Sequence, residues 1–360
     1  MDHFFDRSRL PSFLIPFVSL SYSVDPPPNL DSFPDSSYYD IGYLDVCLIV
    51  TLIAIMAILR DAIRVLVLEP FANWKLTRHW RRRQALKSGS ATPDSKASSL
   101  ASINKGNINS PVITTSSVET AMANRPAERS AEARRIRHAV LRFAEQGWQA
   151  IYYIWQWSLG IYIHYYLPSD LWTGYPHNPL AGIVKLYYLM QISLYVHLVL
   201  LLNAEAPRKD HWQMMTHHVV TIILIVASYA YNFTRVGCLV MVIMDWCDIF
   251  LPLAKMLRYL SYQTACDVTF VFWLVSWLVT RHVLFCMVIA SVYWEAPKHI
   301  EFGWWPERGY WYTADVHKVF VSLLVILEVI QSIWSYLIFG VAYRVLKGQG
   351  TEDPRSDDEG

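Results

Sequence analysis

Seven blocks of apolar sequence, at roughly 42–67, 139–162, 183–204, 212–231, 236–257, 265–293 and 315–343, limit what this chain can fold into. About 20 apolar residues in helical form cross the hydrocarbon of a bilayer, and there every backbone N–H and C=O must be bonded within its own segment. The sequence therefore predicts an all-α polytopic membrane protein of about seven transmembrane helices, a bundle enclosing a lipid-sized cavity. Arg60, Asp61 and Arg64 interrupt the first block, and Arg142 and Glu145 the second. The chain is 54% apolar with a formal charge of +1, so no nucleic-acid partner is expected. Its five cysteines lie in apolar blocks without CxxC spacing, which predicts neither a disulfide framework nor a zinc site.

The segments between blocks differ in kind. Residues 1–41 are rich in Pro, Ser and Asp and read as a flexible N-terminus, and "LPSFLIPFVSL" lacks the basic flank of a signal peptide. Residues 42–69 read as a first transmembrane helix, 70–134 as a basic, low-complexity linker, 135–345 as a six-helix domain and 346–360 as an acidic tail. Lys and Arg gather in alternate loops, at "RRR", Arg208 and Lys209, Arg258, and Arg344 and Lys347. By the positive-inside rule the N-terminus is lumenal and the C-terminus cytosolic. Aromatic residues crowd the opposite edge, in "YWEAPKHIEFGWWPERGYWY", and read as an interfacial belt or as a cap on a lipid tunnel.

The chemistry concentrates in "HWQMMTHHVVTIILIVASY". At 100° per residue His217, Thr221, Ser228, Asn232 and Arg235 form one polar stripe, with His218 and Tyr229 on the adjoining one. The next block carries Asp245 and Asp248 on one face, to which Lys255 returns. Folded as an antiparallel hairpin about Phe233, the two blocks bring His218 level with Asp248. A carboxylate at bilayer depth costs roughly 2.5–3.5 kcal/mol and needs a partner, so such clusters mark reaction sites or proton paths more often than simple helix glue. One adjacent His pair among twelve histidines is too few for a di-iron centre, and no metal is expected.

Residues 208–260, "RKDHWQMMTHHVVTIILIVASYAYNFTRVGCLVMVIMDWCDIFLPLAKMLRYL", resemble the signature region of the TLC-domain ceramide synthases, in the fungal pattern with Met244 before the first Asp. The likeness rests on the R-K-D lead-in, HH followed by T, S-Y, N, R-x-G, D-x-x-D, A-K and a closing Y, and continues more loosely over 135–345. The resemblance implies transfer of a fatty acyl group from acyl-CoA, a co-substrate rather than a resident cofactor, to the amine of a sphingoid base. It implies an endoplasmic reticulum membrane location, with a homo- or hetero-dimer or a small regulatory subunit as further partners. Imidazole can act as base or as nucleophile in thioester aminolysis, and a neighbouring Asp can orient it. His217, His218, Asp245 and Asp248 are the catalytic candidates, with a lean to His217. Arg208, Lys209, Thr221, Ser228, Tyr229, Asn232, Arg235 and Lys255 are the substrate-binding candidates. A non-catalytic TLC-domain protein for lipid sensing, transfer or trafficking is the alternative reading, and a His–Asp proton relay in a transporter a third. Asn232-Phe-Thr234 is a glycosylation sequon expected to stay unmodified in its tight turn, and Ser356, before Asp357, is a kinase-like setting in the acidic tail.

Overall fold

The computed structural model describes residues 11–27, 32–78, 115–204 and 210–346. Helices dominate, as apolar segments must when lipid cannot hydrogen-bond the backbone. We number them α1 (Asp45–Ile63), α2 (Thr115–Tyr166), α3 (Gly182–Ala204), α4 (His211–Ala230), α5 (Thr234–Tyr259), α6 (Gln263–Leu278), α7 (Phe285–Trp294) and α8 (Ala314–Leu346). α1 runs on through a π-helical segment, Arg64–Leu68, to Arg78, and α6 joins α7 through a second one, Val279–Leu284. Six helical stretches among the described residues are long and apolar enough to cross a membrane. α2 is longer than any of them, but its uncharged C-terminal part is too rich in Tyr, Trp, Gln and His to be counted, so the expected seventh crossing rests on that helix alone. Ile58, Leu66, Val268 and Met287 point outward and more than half exposed, as a lipid-facing surface requires.

Two corrections concern the flanking segments. Residues 11–27 and 32–41 are not structureless: strands β1 (Ser23–Val24), β2 (Tyr38–Tyr39) and β3 (Leu180–Ala181) pair antiparallel in that order. Tyr38 and Tyr39 are buried there, so two aromatics supply apolar area that the Pro-rich composition hides. The linker read over 70–134 is helical up to Arg78 and again from Thr115. Ala, Glu and Arg between 117 and 145 are strong helix formers even without an apolar stripe.

The chain divides into two units. The first comprises Met1–Arg60, Ile151–Phe250 and Phe270–Gly360, and the second Asp61–Ala150 and Leu251–Thr269. In the second, Leu68, Ala72, Val140, Phe143 and Ala144 form a small core. The first holds two cores, one around Tyr187, Tyr188, Ile225 and Tyr229, the other around Leu224, Phe233, Phe285 and Leu324. All the chemistry described below belongs to the first unit.

α4 ends in a left-handed Asn232 (φ 61°), with Phe233 N–H bonded to Ser228 O at 2.8 Å and Asn232 N–H to Tyr229 O at 3.3 Å. Asparagine tolerates this conformation, so it stops the helix and lets α5 start two residues later. Packing across the hairpin is close. A Cβ on Gly237 would lie 1.8 Å from the Tyr188 hydroxyl, which bonds Ser228 Oγ at 3.2 Å and Thr234 O at 3.1 Å.

Candidate active site

Adjacent helical residues point about 100° apart, so the two histidines of α4 meet different neighbours. The His217 ring lies 5.0 Å from that of Trp334 on α8, and the His218 ring 5.8 Å from that of Tyr195 on α3. The two imidazoles are 5.4 Å apart, and the Nδ1 atoms of both lack a hydrogen-bond partner.

The aspartates of α5 bond residues other than the histidines. Asp245, 1% exposed, accepts a hydrogen bond from Gln191 Nε2 at 2.6 Å. Asp248 pairs with Arg281 Nη2 at 2.9 Å. Arg281 also donates to Met244 O at 2.7 Å and to Cys247 Sγ at 3.1 Å. No His–Asp hydrogen bond forms among these four residues. Rotation about the helix axes was not legible from the sequence. Tyr195 is the common neighbour: it packs on His218 and lies within electrostatic reach of both aspartates.

The stripe residues divide by partner. Thr221 is buried with Oγ1 unbonded. Ser228 bonds Tyr188, and the Tyr229 hydroxyl donates to Asp45 Oδ2 at 2.8 Å. Asn232 Nδ2 donates to Gly309 O at 2.8 Å, and Arg235 Nη1 to Asp170 O at 3.0 Å and Thr173 O at 2.9 Å. Tyr229, Asn232 and Arg235 thus tie protein to protein at the end of the bundle where α4 turns into α5. Lys255 is exposed and falls in the second unit. Arg208 and Lys209 lie outside the described residues, as does Ser356.

Further along α4 toward that end lies an apolar cavity that neither histidine lines. Leu224 and Ser228 of α4, Val240 and Met241 of α5, Val292 of α7 and Leu324 of α8 line it. Leu224 is seven residues from His217, about 10 Å along the helix. Trp172, Phe233 and Tyr312 close the far end. Tyr175 stacks on Phe233 at 4.8 Å, and the Tyr312 hydroxyl bonds His317 Nδ1 at 2.7 Å. Burial pushes the Tyr175 phenol up to about 12, while backbone N–H groups of Trp172 and Thr173 hold the Asp170 carboxyl below its usual range. Trp294 and Trp304 are exposed, and Trp172 and Tyr312 close the cavity.

Sequence reasoning missed Gln191, Tyr195, Arg281 and Trp334, together with a buried ion pair between Lys185 Nζ and Asp45 Oδ1 at 2.7 Å. Arg281 carried a usable signal, an ionisable residue inside an apolar block. The π-helical segment that holds it inserts an extra residue per turn and re-aims its side chains, which no periodicity discloses.

The described residues thus form a helical membrane bundle with a histidine pair and an apolar cavity on α4. Residues 142–340 match the TLC domain model, and the chain belongs to that family. It is 39% identical over 234 residues to "Sphingosine N-acyltransferase lag1" of Schizosaccharomyces pombe, covering 63% of this chain and 60% of that protein. It is 37% identical over 251 residues to "Ceramide Synthase FUM18" of Gibberella moniliformis, covering 61% and 59%, and 32% identical over 225 residues to "Ceramide synthase 4" of Bos taurus, covering 61% and 54%. The matches span about 60% or less of those relatives' own lengths.

Proposed function

We propose that this protein is an acyl-CoA-dependent sphingosine N-acyltransferase, a ceramide synthase. The observation that carries the reading is the His217–His218 pair on α4, with an apolar cavity lined by the same helix from Leu224 onward. The names of the relatives specify the reaction class. The cavity suits a fatty acyl chain, each methylene contributing about 0.8 kcal/mol on burial. In the reaction the thioester C–S bond breaks and an amide C–N bond forms. The amine gives up a proton, and the departing CoA thiolate takes one. Imidazole serves either as the base that accepts the amine proton or as the nucleophile that first carries the acyl group. We assign this role to His217, which heads the polar stripe and packs on Trp334. Arg281, paired with Asp248, lies within electrostatic reach of it, and Asp245, anchored by Gln191, fixes α3 against α5.

The reading extends to a multi-pass protein of the endoplasmic reticulum with its N-terminus lumenal. CoA then stays on the cytosolic side, near Arg208 and Lys209, and the closed end of the cavity is the lumenal one. A dimer or a small regulatory subunit belongs to the same reading. Purified protein in lipid should convert acyl-CoA and sphinganine to N-acylsphinganine, with one CoA thiol released per amide formed. Absence of product across acyl lengths, with lipid still bound, would instead favour a non-catalytic lipid-sensing or lipid-transfer protein.

A further inference from the structure

The hydrogen bond from Gln191 on α3 to Asp245 on α5 fixes the register of two helices that, one crossing apart, run parallel. Tyr195 lies four residues beyond Gln191 and Asp248 three beyond Asp245, rises of about 6 and 4.5 Å, so phenol and carboxylate reach one level. Gln191 and Tyr195, four apart, share a face of α3. The Tyr195 ring also packs on that of His218 at 5.8 Å. Tyr195 therefore borders on both the imidazole pair and the Asp248–Arg281 ion pair.

Its hydroxyl is uncommitted. Tyr188 and Tyr229, by contrast, donate to Thr234 O and to Asp45 Oδ2. The Tyr195 hydroxyl makes no hydrogen bond among the described residues, and it is not enclosed as that of Tyr187 is. The imidazoles show the same division. Nδ1 of each is enclosed, whereas Nε2 of each, like the phenol oxygen, is unbonded without being enclosed. Three polar atoms thus stay open on neighbouring rings, spaced 5.4 Å from His217 to His218 and 5.8 Å from His218 to Tyr195. Their chemistry is complementary, since an imidazole offers a nitrogen lone pair and a neutral phenol offers a proton donor. The ionised carboxylates nearby only accept, and Arg281 is held by Asp248 and Met244 O.

We infer that the Tyr195 hydroxyl is a catalytic group, the hydrogen-bond donor to the oxyanion formed when a thioester carbonyl is attacked at the histidine pair. The inference rests on the acyltransferase reading. As nitrogen bonds to the carbonyl carbon, the C=O π pair moves onto oxygen, and the Tyr195 O–H donates to that oxygen. Collapse re-forms the C=O bond and breaks the C–S bond. Protons pass from amine to imidazole to thiolate, and Tyr195 keeps its own throughout. Packing on His218 holds the donor in place before the charge appears, which is the condition for it to favour the transition state over the bound substrate.

The test uses full-length protein in lipid nanodiscs. Tyr195→Phe keeps the ring on His218 and removes only the hydroxyl. It should lower kcat about 100-fold, the loss that follows removal of one oxyanion donor, with the KM for acyl-CoA and for sphinganine within about twofold and the melting temperature unchanged. A second readout needs no turnover: binding of a hexadecyl trifluoromethyl ketone, which forms a tetrahedral adduct, against the matched methyl ketone. The wild type should prefer the trifluoromethyl ketone, and Tyr195→Phe should lose about tenfold or more of that preference. A kcat within about threefold of wild type, a loss confined to KM, or a melting temperature that falls together with the rate would overturn the inference. So would equal binding of the two ketones by the wild type. Amide formation by the wild type alongside any of those outcomes leaves the acyltransferase reading standing. A ketone preference that Tyr195→Phe abolishes, in a wild type that forms no amide, would keep Tyr195 as an oxyanion donor and remove the acyltransferase reading instead.

Discussion

At the scale of single residues, the histidines and the aspartates separate into different kinds of dependence. His217 and His218 donate to nothing through Nδ1 and anchor no buried charge, so truncation should cost function far more than folding. His217→Ala and His218→Ala should each remove most acyl transfer while yield and thermal stability in detergent stay near wild type. Near-normal turnover of the double variant would end the histidine mechanism. Asp248→Asn should behave differently, because it leaves Arg281 buried without its counter-charge, a change worth about 3–5 kcal/mol. Its melting temperature should fall, and Asp248→Leu combined with Arg281→Met should recover stability without recovering turnover. Stability that is unchanged in Asp248→Asn would show the pair to be dispensable. Asn232 is the third case. Its amide nitrogen is committed to Gly309 O, it is 3% exposed, and it lies in the short turn between α4 and α5. The sequon should remain unglycosylated, and a glycosidase-sensitive mobility shift that disappears in Asn232→Gln would contradict this.

At the scale of elements, the sequence disclosed what has a period and concealed what depends on rotation. Blocks at 183–204, 212–231 and 236–257 became α3, α4 and α5 with ends within a few residues, because apolar length and hairpin turns are local properties. Counting residues either side of Phe233 gives only an expected level for the histidines and aspartates. It does not give their partners: Gln191, Arg281 and Trp334 come from α3, the π-helical segment and α8, and only packing brings them in. The segment between α7 and α8 makes a prediction of its own. Tyr312 from this stretch helps close the far end of the cavity, and Gly309 holds Asn232. Exchanging residues 294–314 with those of a relative of different chain-length preference should shift the acyl-CoA profile and leave the maximal rate largely intact. Chimaeras that keep the parent profile would place selection deeper, on the walls formed by α4 and α5.

For the molecule as a whole, the N-terminal segment is a structural part of the first unit. Lys185, fully buried, donates to Ser21 O at 2.9 Å and Asp40 O at 2.6 Å besides its ion pair with Asp45. Asp45 in turn receives the Tyr229 hydroxyl, so one network joins this segment to α1, α3 and α4. Lys185→Met alone should sharply lower yield, and Asp45→Asn with Lys185→Met should restore much of it, since a buried pair is worth less than the damage done by removing one member. Equal yields for the single and double variants would refute the coupling. The pair also carries an order in time. A ribosome makes Ser21, Asp40 and Asp45 long before Lys185, so the ammonium of α3 enters the membrane with its acceptors already waiting. The earlier-made segment then acts as a receptor for a later helix, and a chain lacking it would present quality control with an unmatched cation.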